Sequence, residues 1–574
     1  MLDRLTITIA GAAGQGLVTV SKSLLTSLAR LGYRVFASQD YMSRVRGGHN
    51  FMRIHIAKRQ PRSAPDYTNL LLALDSKSVE IHSPAMRNPS AVILDPATVA
   101  ARPGNGAVVI DAPLSAIAKE IGSPVYMNST ALGALFAVLG LELESLNNVF
   151  AGQFSKKAPK ILEDNIAAAK AGYDYVNEKG SFGAIPLWKE KAKGRFLIDG
   201  SHAIGLGLIS AGLRFISSYP MSPSTGIFTY ITSRAVELGI VSEQAEDEIS
   251  ALNMVIGASS CGARAATTTS GGGLALMSEA VSLAGISEAP VTIANIMRPG
   301  PATGLPTRTG QEDLDFVMAI GHGEFPRFIF APRSQEDALY TAAAAMNLAE
   351  KYQVPSFILG DQHLVDSFST VDKMDMDKTR MVNQLADPSK VELPYLRYRF
   401  TKTGVSPRLR HGVAEASFIT DSHVHEENGH ITEDPLIARK MAEKRFAKLA
   451  GMEKEKFGLP LWHGEKNAKV VFACFGSASG AVMDAVDVIN KSGGSAAAIC
   501  FNRVTPFPAV DAKKLLAGKR NVHVVENNYQ GQFQKLLSAN TGVKCAEPVR
   551  RYDGRPFDAD YIIESLRKKY RWRT

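Results

Sequence analysis

Cysteine is scarce. Cys261, Cys474, Cys500 and Cys545 are the only four in 574 residues, and no two of them form a C-x-x-C pair. A disulfide framework is thereby excluded, as is an iron–sulfur cluster held by this chain alone, which needs about four thiolates, several close in sequence. Long apolar runs are missing too. A membrane-spanning helix needs about 18 consecutive apolar residues or more, and the best run here, Leu132 to Leu141, stops at Glu142. The start of the chain sets Asp3 and Arg4 before a short apolar run that turns glycine-rich, which is not the form of a signal peptide. A reducing cytoplasm is the expected setting, with no membrane partner. The formal net charge of +9 is thin for this length. It leans toward acidic partners and away from nucleic acid. What remains is ordinary: 45% hydrophobic and 21% charged residues exclude a disordered or fibrous chain. At about 150 residues per domain, three or four domains are expected.

The apolar segments are short and alternate with helical stretches, which predicts α/β architecture with parallel strands. Leu5–Ala10 leads through GAAGQG into a helix over Leu17–Leu31, and LLLAL, AVILD, VVIDA and VYMN (Val125–Asn128) follow as strands. A charged connector, Trp188–Arg195, closes this block at about residue 187. A second block, 196–370, carries FISSYP, AATTTS, VTIANIM, RFIFAP and SFILGD. Residues 371–467 change composition and read as crossing loops and an exposed helix, with a charged run over Lys440–Lys456. The last block, 468–574, resumes the pattern at VVFACFGSASG. Three consecutive α/β domains are the expected fold.

Five stretches could carry chemistry. GAAGQG (Gly11, Gly14, Gln15 and Gly16 among its residues) sits at a strand-to-helix turn, where bare backbone and a helix N-terminus can hold a phosphate. Its spacing is not the dinucleotide fingerprint, and a tight turn packing a helix on its sheet reads equally well. SRVRGGHN places Arg44 and Arg46 beside paired glycines, either as a phosphate clamp or as a solvated loop. SSYPMSPST offers the hydroxyl of Ser222 among others, with N-capping by Ser224 or Thr225 as the plain alternative. In EQAEDEISALNMVIGASS most acids read as a solvated helix start. Glu248 differs, because Ile249, Ala251, Met254 and Ile256 carry it straight into the core. Finally, IMRPGPATGLPTRTGQEDL is a constrained loop with Arg298, Thr303, Thr307 and Arg308 after a strand, where α/β sheets bind ligands. The arginine's planar fork suits a carboxylate. His423, His425 and His430 lack metal-ligand spacing and read as a solvent loop; no metal is assigned to this chain. RKKYRWRT at the end reads as a solvated tail or a dock for an acidic partner.

Taken in order, YPMSPST, SEQAEDEISA, TTTSGGG, RPGPATGLPTRTGQEDL and VVENNYQGQF resemble the alpha subunit of 2-oxoacid:ferredoxin oxidoreductases, and the GAAGQG/SRVRGGHN block resembles that family's gamma subunit fused in front. The layout is most similar to the 2-oxoglutarate enzymes. The resemblance implies a gamma-like domain over 1–187, a pyrimidine-binding thiamine-fold domain over 196–370 and a transketolase-C-terminal-like domain over 468–574. It implies reversible, CoA-dependent oxidative decarboxylation of a 2-oxoacid on thiamine diphosphate, with electrons passing to ferredoxin, and CO2 fixation in reverse. Glu248 matches the glutamate that meets the cofactor's aminopyrimidine. Ser222 stands where the family's YPITPS motif has threonine, and Arg298, Thr303 and Thr307 match the oxoacid loop. Gly11, Gly14, Gln15, Gly16, Arg44 and Arg46 are the CoA candidates. The chain has no GDG…N segment for Mg²⁺ and diphosphate, since GDQHL (Gly360–Leu364) lacks that form, and no cluster thiolates. The resemblance assigns both Mg²⁺ and a 4Fe–4S cluster to a beta subunit, in a dimer of alpha–beta heterodimers. Pyruvate or branched-chain oxoacids as substrate, or a non-catalytic assembly role, are the alternatives.

Overall fold

The computed structural model describes residues 3–42, 48–104, 106–179, 185–188, 194–413 and 417–572. Its strands are β1 (Arg4–Ala12), β2 (Arg34–Asp40), β3 (His49–Ala57), β4 (Thr68–Ala73), β5 (Met86–Leu94), β6 (Val108–Asp111), β7 (Phe196–Asp199), β8 (Phe215–Ser218), β9 (Val241–Gln244), β10 (Ala265–Thr269), β11 (Thr292–Met297), β12 (Phe328–Phe330), β13 (Ser356–Asp361), β14 (Phe368–Val371), β15 (Leu461–Gly464), β16 (Val470–Phe475), β17 (Ala496–Phe501), β18 (Arg503–Thr505), β19 (Val522–Glu526) and β20 (Val549–Arg550). The chain divides into two compact units, Met1–Ile198 with Ser367–Met374, and Asp199–Asp366 with Asp375–Thr574.

The first unit is built on a sheet of order β6-β5-β4-β1-β3-β2-β14-β7. Strand β1 is buried from Leu5 to Ala10, so it needs no alternation: Leu5, Ile7 and Ile9 pack with the helices Leu17–Arg30 and Met127–Leu139 on one face, and Ala10 with Val79 of the helix Ser76–His82 on the other. Strands β1, β4, β5 and β6 pair in parallel, as expected. Strand β3, in contrast, runs antiparallel to both β1 and β2, so the sheet is mixed. VYMN is not a strand: Ser123 caps a 3₁₀ turn at Pro124–Tyr126, and the helix starts at Met127. Proline at a helical first turn removes only an N–H that has no partner there anyway. Residues 368–370, expected at the end of the second block, form β14 together with Val371 and pair with β2 of this first sheet.

The second unit holds two sheets, ordered β18-β12-β13-β11-β10-β8-β9 and β15-β17-β16-β19-β20. Ile293 and Phe357 of the first share one hydrophobic cluster with Phe475 and Phe501 of the second, joined by Leu252 and Phe533 from flanking helices. The last two blocks are therefore packed halves of one core. Strand β18 adds backbone hydrogen bonds to the join, since it leaves the C-terminal block to pair with β12. The charged run read as an exposed helix is also revised. Within the helix Pro435–Ala447 and just after it, Lys444 and Lys448 are buried, and both ammonium groups lie 2.6 Å from the carboxylate of buried Glu288. Among the described residues no helix is long and apolar enough to cross a membrane.

Candidate active site

Strands β8, β10 and β11 run parallel, and their C-terminal ends release the YPMSPS, SGGG and RPGP segments side by side. This edge of a parallel sheet is where ligands bind, because the carbonyl ends and the following helix starts converge there.

Glu248 opens the helix Glu248–Ser260, with Asp247 as N-cap accepting from Ser250 N–H at 2.7 Å. The preceding Glu243 and Glu246 are exposed, but Glu248 is only 3% exposed. Its Oε1 is buried without a hydrogen-bond partner. Gly273 makes the room: a Cβ there would lie 2.5 Å from Glu248 Oε1 and 2.4 Å from Thr269 Oγ1. The hydroxyl of Ser270 and the Oδ1 of Asn295 are likewise buried and unpartnered. Buried polar atoms cost stability unless something hydrogen-bonds them, so this cluster is shaped for a polar ligand.

Arg298 and Ser222 are brought together. The guanidinium Nη1 donates to the Ser222 carbonyl at 2.6 Å, which ties the loop after β11 to the turn after β8. The Ser222 side chain is exposed. Ser224 does not cap the following helix; its hydroxyl donates back to the Met221 carbonyl at 2.7 Å. Thr303 rides exposed on the loop tip, closed below by Leu305 N–H on the Pro299 carbonyl at 3.0 Å, while Thr307 is buried beneath. No hydrogen bond among the described residues joins either threonine to Arg298.

Sequence reasoning passed over the end of that loop. Gln311 is fully buried; its Nε2 donates to the Phe475 carbonyl at 3.0 Å and its Oε1 accepts from Asn527 N–H at 3.0 Å. Asn528 reaches the Gln311 carbonyl at 3.1 Å, and Gln532 the Glu312 carbonyl at 2.8 Å. The ENNYQGQF motif thus works as a clamp on the loop after β11. Beside it Asp313 accepts from Asn295 Nδ2 at 3.1 Å. The motif text itself, GQED, was the available signal, but nothing in it names a role. Asp361 of the GDQHL segment is occupied otherwise, accepting from Leu364 N–H at 2.9 Å and from the Ser477 hydroxyl.

In the first unit the GAAGQG turn closes on itself. Gln15 Oε1 accepts from Ala12 N–H at 2.7 Å, its Nε2 reaches the Leu74 carbonyl at 3.3 Å, and Gly16 takes a left-handed φ of 76° at the helix start. Gly14, with φ of 95°, has open space where a side chain would stand. Ala12 pairs in register with His49, whose Nε2 lies 2.9 Å from that of His82. Arg44 and Arg46 lie outside the described residues.

The expected solvent loop at 423–430 is only partly one: His425 is buried against the Tyr398 ring, 4.0 Å between centroids. Among the described residues no group of three His, Cys, Asp or Glu could hold a metal. The basic tail is partly folded as well, with Trp572 stacked on Tyr570 at 5.1 Å.

Residues 206–444 match the family model described as pyruvate flavodoxin/ferredoxin oxidoreductase, thiamine diphosphate-binding. Residues 6–175 match pyruvate ferredoxin/flavodoxin oxidoreductase, and 468–562 match pyruvate:ferredoxin oxidoreductase core domain II. The fold and site are those of a thiamine-diphosphate-binding α/β oxidoreductase subunit. The 2-oxoacid:ferredoxin oxidoreductase alpha subunit of a Sulfolobus species is 31% identical over 98% of this chain and 97% of its own. The 2-oxoglutarate oxidoreductase subunit KorA of Mycobacterium tuberculosis is 30% identical over 77% of this chain and 68% of its own. The 2-oxoglutarate:ferredoxin oxidoreductase of Magnetococcus marinus, solved with 2-oxoglutarate, coenzyme A and succinyl-CoA bound, superposes with a TM-score of 0.90 at 28% identity, covering 99% of this chain and 100% of that one. The chain belongs to the 2-oxoacid:ferredoxin oxidoreductase alpha-subunit family.

Proposed function

We propose that this chain is the alpha subunit, with a gamma-type unit fused in front, of an enzyme that converts 2-oxoglutarate and CoA reversibly to succinyl-CoA and CO2 with ferredoxin as electron acceptor. The observation that carries it is an unpartnered buried carboxylate oxygen, on Glu248, together with an arginine, Arg298, pinned to the Ser222 carbonyl at the same sheet edge. The Magnetococcus marinus enzyme and KorA support 2-oxoglutarate as the substrate. Thiamine diphosphate, when bound, supplies the electron sink that lets a 2-oxoacid lose CO2. The residues present fit it, because Glu248 Oε1 is a buried acceptor without a partner, packed against bare backbone at Gly273 that no side chain covers, which suits a ring N–H. Glu248 would hold that ring and move a proton at Oε1. Arg298 would orient the oxoacid carboxylate, flanked by Ser222, Thr303 and Thr307. Gly11, Gly14, Gln15, Gly16, Arg44 and Arg46 are the proposed CoA contacts in the first unit. Mg²⁺, the diphosphate site and a 4Fe–4S cluster fall to a beta subunit, in a cytoplasmic dimer of alpha–beta heterodimers.

Co-purification with the beta subunit, followed by CoA-dependent viologen reduction over a panel of 2-oxoacids, tests this. The highest kcat/KM should fall on 2-oxoglutarate. A preference for pyruvate would overturn the substrate, and inactivity on every oxoacid would favour an assembly role.

Arg298 gives a second test. One guanidinium N–H is spent on Ser222, and the rest of the planar fork is left for the substrate. Arg298→Ala should cost about ten- to a hundredfold in kcat/KM, since a hydrogen bond to a charged group is worth about 1.5–3 kcal/mol. Arg298→Lys should recover only part, because an ammonium cannot hold Ser222 and a carboxylate in one plane. Equal losses on 2-oxoglutarate and pyruvate would mark the shared carboxylate; a loss confined to 2-oxoglutarate would mark the distal one. No loss on either removes Arg298 from the site.

A further inference from the structure

Arg298 stands half-buried at the head of the loop that runs to residue 313. That loop contains a conformation it could not keep unaided. Ala302 sits at a φ of 55°, in the left-handed region that a residue with a Cβ avoids. Such backbone persists only where surrounding contacts over-determine it. The contacts come from the C-terminal block, and they meet at Gln311. Its backbone N–H donates to the Asn527 carbonyl at 2.8 Å, and its carbonyl accepts from Asn528 Nδ2 at 3.1 Å. Both ends of the side chain are spent as well, on the Phe475 carbonyl and on Asn527 N–H. All four bonds cross to the C-terminal block. Asn528 is itself fixed, donating to buried Glu526 at 2.7 Å and accepting from Gly531 N–H at 2.8 Å.

From Gln311 the tether runs back to Arg298. The Glu312 carbonyl is held by Gln532 Nε2 at 2.8 Å, and the Glu312 carboxylate accepts from Gly300 N–H at 2.9 Å. Gly310 lies against Pro299: a Cβ there would lie 3.3 Å from the Pro299 nitrogen. Pro299 and Gly300 follow Arg298 directly. Holding them sets where the arginine side chain starts, and the Ser222 carbonyl sets where its guanidinium ends.

We propose that Gln311 and Glu312 are positioning residues for the oxoacid, through which the C-terminal block holds the Arg298 loop in the shape that receives a carboxylate. The inference rests on the 2-oxoacid reading of Arg298. Neither residue needs to touch substrate. Their contribution is pre-organisation, since a loop ordered on folding need not be ordered on binding. Plain adhesion between the two sheets of this unit would instead cost stability without favouring one substrate.

The reconstituted enzyme separates the two. Glu312→Ala removes the acceptor for Gly300 N–H from a half-buried position, so the variant should fold. Its KM for 2-oxoglutarate should rise about two- to tenfold, the worth of one net hydrogen bond. Its kcat and its KM for CoA should stay at wild-type values. Glu312→Gln keeps an acceptor oxygen and should match wild type. Asn502→Ala serves as the control for adhesion, because it removes buried bonds to Asp337 at 2.8 Å and Thr341 at 2.7 Å on the helix Gln335–Tyr352. It should lower the thermal midpoint and leave the oxoacid KM alone. In an Arg298→Ala background, Glu312→Ala should cost nothing further in kcat/KM for 2-oxoglutarate, because no guanidinium remains to be placed. In the full-length chain alone, the Gly300 amide should exchange faster in Gln311→Ala, although its own acceptor Glu312 is untouched. An unchanged oxoacid KM in Glu312→Ala, an equal rise for CoA, or full additivity with Arg298→Ala overturns the proposal. Those failures leave the oxoacid reading standing, whereas inactivity of the wild-type complex on every 2-oxoacid overturns both.

Discussion

Glu248→Gln should lower turnover of the reconstituted enzyme by about 10²–10⁴-fold, the usual contribution of a positioned proton-transfer group. The amide matches the carboxylate in shape and can still accept a hydrogen bond, so thiamine diphosphate binding should weaken far less than turnover falls. What is lost is the capacity to hold and release a proton at Oε1, the oxygen that stands unpartnered in the core. The helix N-terminus beneath it favours the anion, and Gln forfeits that as well. A second variant separates charge from position. Gly273→Ala would set a methyl 2.5 Å from Oε1 and 2.4 Å from Thr269 Oγ1, which the packed turn cannot accept without displacing the carboxylate. Turnover should drop in that variant with the charge intact. Near-full activity in Glu248→Gln would end the proposed assignment.

The largest loss of stability should come from Glu288→Gln. Lys444 and Lys448 each place an ammonium 2.6 Å from the Glu288 carboxylate, and all three side chains are 1% exposed. Arg397 adds a bond to the Glu288 carbonyl at 2.9 Å and one to Gln353 at 2.8 Å. Removing one partner of a buried ion pair costs about 3–5 kcal/mol, because the partner charge stays behind without compensation. Here two ammonium groups would. The expected result is a lower thermal midpoint, with loss of hydrogen-exchange protection over 382–458, the segment these lysines anchor. Although burial opposes it, Lys448, Lys444 and Arg397 hold the Glu288 carboxyl below the usual carboxylate range. Its contribution is therefore present above the unfolded carboxylate value and lost as pH falls through the folded one. Burial lowers Lys448 to about 8 against the pull of Glu288. With Glu288 gone, that lysine sheds its proton more readily. The unfolded chain then binds more protons than the folded one, so the deficit of the variant should be widest at neutral pH and narrow toward pH 10. An unchanged midpoint across that range would refute the account.

Local pattern was enough for much of this molecule. Strand β1, the turn at Gly16, the helix at Glu248 and the loop after β11 follow from apolar runs, glycines with left-handed φ and an Asp cap, all encoded within a few neighbouring residues. Glu248 stood out as one acid leading an apolar helix, and it is indeed the buried one. VYMN failed because four residues cannot distinguish a strand from a helix start, and the cap at Ser123 decided it. The charged run near 440–456 failed for a different reason. Its lysines look solvated until Glu288, 156 residues away from Lys444, supplies the countercharge.

The order of motifs along the chain, the scarcity of thiolates and the α/β alternation were legible in one dimension, and they carried the family and the chemistry it performs. Which atoms face one another was not. Gln311 meets Asn527 across 216 residues, β14 leaves its block to join the first sheet, and burial raises the proton affinity of Asp313 against the hydrogen bond from Asn295. Hydrogen bonds and desolvation act through space and leave no periodicity in the sequence, so only the folded chain could reveal the clamp on the loop after β11 and the tie of Arg298 to the Ser222 carbonyl.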